Sequence, residues 1–232
     1  MPEHPAVRLH QMVADRHAVL GRVVAAARDA GVGSLMLIGS LGRGAGDAWS
    51  DLDLIAVPGP DYTHLNIASL FNNRVLATVN APRNAPIGGS YQGVCLDAAG
   101  VVLWLDVYTW PAITATIPAD ATALFDELHL PTSDLDFIPL ITAHADPTAP
   151  AQPDSGATTL LRVAVAAKYL ARGDANRLIR TLPATTGIDG VPEALHRLLT
   201  TVTEPDLSPA TQATSRLIDL AAEAAATAPH PR

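Results

Sequence analysis

Two short apolar runs on either side of a glycine-rich stretch constrain this chain more than any other feature of its sequence. Residues 35 to 57 read LMLIGSLGRGAGDAWSDLDLIAV. The run Leu35-Met36-Leu37-Ile38 lies between Gly33 and Gly39, and a short apolar run bounded by glycines predicts a buried strand. Gly39 to Ser50 is then a loop or the start of a helix. Asp51 to Val57 is a second strand, closed by Pro58-Gly59-Pro60.

The flanking segments place this unit in an α/β fold. Leu9, Met12, Val13, Val19, Leu20, Val23, Val24 and Ala27 recur at three- and four-residue steps, which predicts an amphipathic helix over Val7 to Ala30, ended by Gly31 and Gly33. His64 to Asn72 can form a short helix. Three further strands are expected at Val75 to Val79, Tyr91 to Leu96 and Val101 to Tyr108, the last two joined through Asp97-Ala98-Ala99-Gly100, which is turn chemistry for a hairpin. Strands interleaved with helices imply an α/β unit over residues 1–145. Three prolines fall in Asp146 to Asp154, so 146–155 is expected to be an extended linker. Beyond it, Thr158 to Arg172, Ala175 to Leu182, Pro192 to Val202 and Pro209 to Ala226 read as helices, giving an α-helical bundle domain over 156–232.

The chemistry is concentrated in the first unit. Residues two apart on a strand share a face, so Asp51 and Asp53 are expected to point together while Leu52 and Leu54 enter the core. Two adjacent carboxylates repel unless a cation sits between them, and hard oxygen ligands suit magnesium. Gly39 lets the backbone approach a ligand, Ser40 can add a hydroxyl to a phosphate oxygen, and Arg43 in the following loop can reach a triphosphate. A third carboxylate is expected on a neighbouring strand, because a pair of metal ions needs a further ligand. Asp106, inside the apolar stretch VVLWLDVYTW, answers this, since an unpaired charge there would be costly to bury. Asp97 competes for the role, but its place before Ala98-Ala99-Gly100 makes it a turn former.

Composition narrows the partners. The net charge is -8, which argues against a chain built to grip a nucleic-acid backbone and favours a neutral or cationic small-molecule acceptor. Cys95 is the only cysteine, so neither an intrachain disulfide nor a thiolate metal cluster is expected and a reducing cytoplasm is the natural setting. No apolar run approaches the roughly 18 residues of a membrane span. The histidines show no metal spacing, and HExxH, CxxC and nucleophile-elbow patterns are absent.

Taken together, Gly39-Ser40, a ten-residue spacer, Asp51-Leu52-Asp53-Leu54 and the later strand carboxylate Asp106 resemble the signature of the DNA polymerase β-like nucleotidyltransferase superfamily. Ser50 directly before Asp51, with Arg43 in the spacer, resembles most its small antibiotic-modifying branch, the aminoglycoside and lincosamide nucleotidyltransferases. That resemblance covers about the first 110 residues. It implies a minimal mixed sheet flanked by helices, with Asp51, Asp53 and Asp106 holding two magnesium ions, and ATP as co-substrate. Gly39, Ser40, Arg43 and Ser50 would bind the nucleotide. It also implies that a lysine of the helical domain approaches the phosphates; Lys168, one turn before Arg172, is the candidate, and a solvated helix face is the alternative.

The expected reaction is transfer of a nucleoside monophosphate to a hydroxyl, with alignment and charge neutralisation carrying catalysis and Asp106 taking the proton. The acceptor is expected between the two halves; Trp104, Tyr108 and Trp110 can line the cleft, with core or hairpin packing the favoured role, and Asp134, Asp136, Asp146 and Asp154 can give it a negative field or serve equally as solvated loop charge. No glutamate base is evident in the second half. The competing expectations are an enzyme of the same fold acting on protein or transfer RNA, and a catalytically silent nucleotide-binding module.

Overall fold

In the computed structural model, which describes residues 5–80, 85–149, 155–182 and 190–227, the heptad-like stripe of the N-terminus forms helix α1 (Pro5–Asp29). Its buried positions are Met12, Arg16, Val19, Val23 and Ala27, so one arginine occupies the apolar stripe. The strands are β1 (Val32–Leu37), β2 (Leu52–Pro58), β3 (Val75–Val79), β4 (Ser90–Ala98), β5 (Val101–Thr109) and β6 (Thr122–Asp126). They form one mixed sheet in the order β3-β4-β5-β2-β1-β6. Only the β2–β5 contact is parallel; the other pairs are antiparallel. Short helices α2 (Gly39–Gly42), α3 (Ile67–Phe71) and α4 (Phe137–His144) decorate it. The C-terminal half is helical, with α5 (Gly156–Ala171), α6 (Ala175–Thr181), α7 (Val191–Leu199) and α8 (Ser208–Thr227).

The β4–β5 hairpin follows the expected turn chemistry. Ala98 pairs with Val101, and the two residues between them both have positive φ, 52° at Ala99 and 82° at Gly100, the geometry of a tight primed turn. Asp97 Oδ1 accepts from Gly100 N at 2.9 Å, so Asp97 is a turn former.

Strand alternation sorts the side chains onto two faces. On one, Leu35, Leu52, Leu54, Val94, Leu103 and Leu105 pack under α1 and α3. The other face is divided. Val102, Trp104 and Cys95 join a core with α5, α7 and α8, while Met36, Ile55, Val57 and Trp110 pack with Phe137, Leu140 and Ile141 of α4. Tyr108 touches both clusters. Asp53 shares the face of Ile55, and Asp106 that of Trp104 and Tyr108. The two carboxylates therefore lie where the cover of helices parts. The C-terminal helices share their core with the sheet rather than forming a core of their own.

Two local expectations are corrected, and two elements are new. The helix foreseen from His64 starts at Ile67, because the Asn66 side chain caps it by accepting from Ser69 N at 3.2 Å; a 3₁₀ turn, Asn72–Arg74, follows. Strand β6 and helix α4 were not foreseen. Pro139 masks α4 in sequence, yet it falls in the first turn, where an amide donor has no intrahelical partner to lose. Of the expected linker, Asp146 makes a turn by accepting from Thr148 N at 2.8 Å, and 150–154, with Asp154, lie outside the described residues. No helix among the described residues is long and apolar enough to cross a membrane.

Candidate active site

The site begins where β1 ends. Ile38 N donates to Asp53 O at 2.9 Å, tying the Gly-Ser turn to β2. Gly39 has φ +67°, and a Cβ there would collide with Asp53 Oδ2. Two independent reasons thus require glycine: the left-handed backbone and the carboxylate pressed against it. Gly39→Ala is expected to cost about 1–2 kcal/mol from the backbone alone and to drive the Asp53 carboxylate out of place. Thermal melting and turnover measured together check this, with turnover falling further than stability.

Asp53 and Asp106 are direct register partners on the parallel strands β2 and β5. On its other side Asp106 pairs with Gly93 of β4. Among the described residues no ion pair reaches either carboxylate. Burial, and then the charge of Asp51, push the Asp53 carboxyl up to about 7. Burial, followed by the charges of Asp53 and Asp51, raises Asp106 well above the usual carboxylate range. The charges of Lys168 and, at Asp53, of Arg43 offset this only in part. Tyr91 Oη donates to Asp106 Oδ1 at 2.9 Å, and burial raises its phenol further above the ordinary tyrosine range, which keeps it a donor.

Asp51 stands one residue before β2 rather than within it. Its Oδ1 accepts from Trp104 N at 3.0 Å and from Lys168 Nζ. The lysine is almost wholly buried, with a side-chain exposure of 4% against 15% for Asp51. The helical half therefore delivers its lysine to the carboxylate cluster, 117 residues away in sequence. One turn further along α5, Arg172 Nε and Nη2 donate to Asp47 Oδ2 and Oδ1, each at 2.7 Å. These two bonds pull the Asp47 carboxyl down to about 2.

Asp47 organises the loop. Ser50 Oγ donates to Asp47 Oδ1 at 3.0 Å and accepts from Ser40 Oγ at 2.9 Å. From beneath, Arg16 Nη1 donates to Asp47 O at 2.7 Å and Ser50 O at 2.9 Å. Ser40 and Ser50 are thereby brought together, bracing the loop between α1 and α5. Arg43, half-exposed, pairs with Asp120 at 3.0 Å.

Ser40, Arg43, Ser50, Asp51, Asp53, Asp106 and Lys168 all line one cleft of about 250 Å³, with Tyr169, Arg172 and Arg177 at the helical wall. Gly39 backs it through Asp53. Trp104 and Trp110 do not line it: both are fully buried in the cores flanking the carboxylates. Asp134 and Asp136 are likewise not part of its wall. Sequence reasoning missed Arg16, Asp47, Tyr91 and Arg177. The charged position inside the α1 stripe was the available signal for Arg16; nothing local marks Tyr91.

Among the described residues no three His, Cys, Asp or Glu groups already converge as a metal cage. Magnesium commonly binds through one or two carboxylates plus substrate phosphates. The facing acids Asp53 and Asp106 fit that pattern, with Asp51 beside them under Lys168. No protein-family model matches the chain and no curated protein matches it, so the geometry of this cleft carries the functional reading.

Proposed function

We propose that the chain is a magnesium-dependent nucleotidyltransferase that moves a nucleoside monophosphate from a triphosphate, ATP first among them, to a hydroxyl of a small molecule such as an aminoglycoside-type antibiotic. The observation that carries this reading is the cation-poor pair Asp53 and Asp106, in register on adjacent parallel strands and abutted by Gly39. Asp53 and Asp106 would hold the metal, and Asp51 would join them once Lys168 is drawn off. Bound there, magnesium supplies charge neutralisation for the triphosphate and acidifies the acceptor hydroxyl.

The chain's own groups divide the remaining work. Lys168, Arg172, Arg43 and Arg177 line the cleft, each paired with a carboxylate, and would turn to the phosphates of a bound triphosphate as electrostatic stabilisation in a partly water-excluded site. Ser40 and Ser50 present hydroxyls at its floor. Leu161 and Val165, on the same face of α5 as Lys168, give an apolar surface beside it. Asp106, on the cleft wall beside the metal position, would accept the proton of the attacking hydroxyl.

The test is direct: incubate the chain with magnesium, each nucleoside triphosphate and a panel of aminoglycosides, lincosamides and transfer RNA, following pyrophosphate release and adduct mass. Pyrophosphate together with a small molecule heavier by one nucleoside monophosphate is expected. Failure of every triphosphate to bind or be consumed, whatever the acceptor, would remove the proposal.

A further inference from the structure

A buried phenol reaches the carboxylate cluster from a strand that carries none of its acids. Tyr91 lies on β4, opposite Tyr108 of β5, and two residues before Gly93, the register partner of Asp106. Its side chain leans along the strand and crosses over Gly93 to place Oη on Asp106 Oδ1 at 2.9 Å. A Cβ at position 93 would lie 2.9 Å from Tyr91 Oη and 3.0 Å from Asp106 Oδ1. Both are tighter than ordinary packing allows, so the crossing exists because residue 93 has no side chain. The ring is fixed by a second aromatic: Tyr91 and Tyr108 have centroids 5.0 Å apart, and Tyr108 meets Phe137 of α4 at the same separation. Aromatic contacts of this kind restrict the ring.

We propose that Tyr91 is the positioning residue of Asp106: by holding Oδ1 it fixes the carboxylate plane and leaves Oδ2 as the oxygen turned to the cation and the acceptor. The inference rests on the transferase reading above. Hydrogen bonds to a ligating carboxylate set its orientation, and removing such a partner commonly costs 10–100-fold in metal affinity or activity. A residue that merely fills the core would lose nothing on becoming phenylalanine, which keeps the ring and deletes only the donor.

The experiment compares the full chain with Tyr91→Phe in three measurements: Mn²⁺ binding without nucleotide, followed by electron paramagnetic resonance; kcat and KM for ATP with the acceptor found in the transfer assay; and thermal melting. Tyr91→Phe is expected to bind Mn²⁺ about tenfold more weakly or worse, to lose kcat by about the same factor, and to keep its KM for ATP and its cooperative melt. Mn²⁺ affinity and kcat equal to those of the parent would overturn the positioning role while leaving the transferase reading standing. A variant that loses its cooperative melt would show a structural role and overturn it as well. A parent chain that binds no Mn²⁺ would overturn both.

Discussion

Asp53→Asn and Asp106→Asn are expected to abolish transfer, by about a hundredfold to a thousandfold or more, while melting at a higher temperature than the parent when divalent cations are absent. The two effects have one cause. Asp53 and Asp106 face each other in register; burial and the charge of Asp51 hold Asp53 above the usual carboxylate range, and burial with the charges of Asp53 and Asp51 does the same for Asp106. An amide of the same shape removes one charge from this pair and can still accept the Tyr91 hydroxyl at position 106. Gain of stability with loss of function is what a strained functional pair gives. A purely structural pair would lose stability on substitution, so lower melting temperatures with turnover retained would dismiss the site.

Metal-free stability should fall as pH rises from about 4 to above 7, and magnesium should restore it. Unfolded aspartates titrate near 3.9, whereas folded Asp53 titrates at about 7 and Asp106 is also raised. Between these values the folded chain binds more protons than the unfolded one. Its advantage is complete below the unfolded value and is lost as pH climbs through the folded one. Asp47 works the opposite way: held down to about 2 by Arg172, it stabilises the fold above about pH 4 and loses that contribution as acid approaches 2. A maximum in metal-free melting temperature is therefore expected in the mildly acidic range. At pH 8, magnesium at a hundred times its Kd should add about 2.7 kcal/mol. Melting curves from pH 3 to 9, with chelator and with magnesium, check both slopes; Asp53→Asn should flatten the upper one. A flat curve unaffected by magnesium would show that the acids are not a cation site.

The fold class was legible because the informative segments are local. The apolar runs at residues 35–38 and 101–105 each read as a buried strand without help from the rest of the chain, and the Ala99-Gly100 turn follows from composition. Strand β6 and helix α4 were not legible: the first is a short edge strand with its first two residues exposed, and the second hides its start behind Pro139. In the site, the spacing of Asp51 and Asp53 predicted a shared face and both line the cleft, but nothing in it told that Asp106 is the register partner of Asp53 or that Lys168 and the Trp104 amide hold Asp51. That arrangement depends on where α5 docks, 117 residues from Asp51, and no local pattern encodes it. Asp47, bonded to Arg172 from 125 residues away, was unreadable for the same reason.

The ion pair between Lys168 and Asp51 bears on what the cleft can admit. Removing one member of a buried pair strands the other, at a cost of about 3–5 kcal/mol. A bare anion that lured Lys168 away would leave Asp51 without its counter-charge, and a bare cation that captured Asp51 would leave the almost wholly buried Lys168 alone. Only a guest bringing both signs at once satisfies both ends, so a bare cation stops at Asp53 and Asp106, and Asp51 joins it only when a polyphosphate arrives to take Lys168.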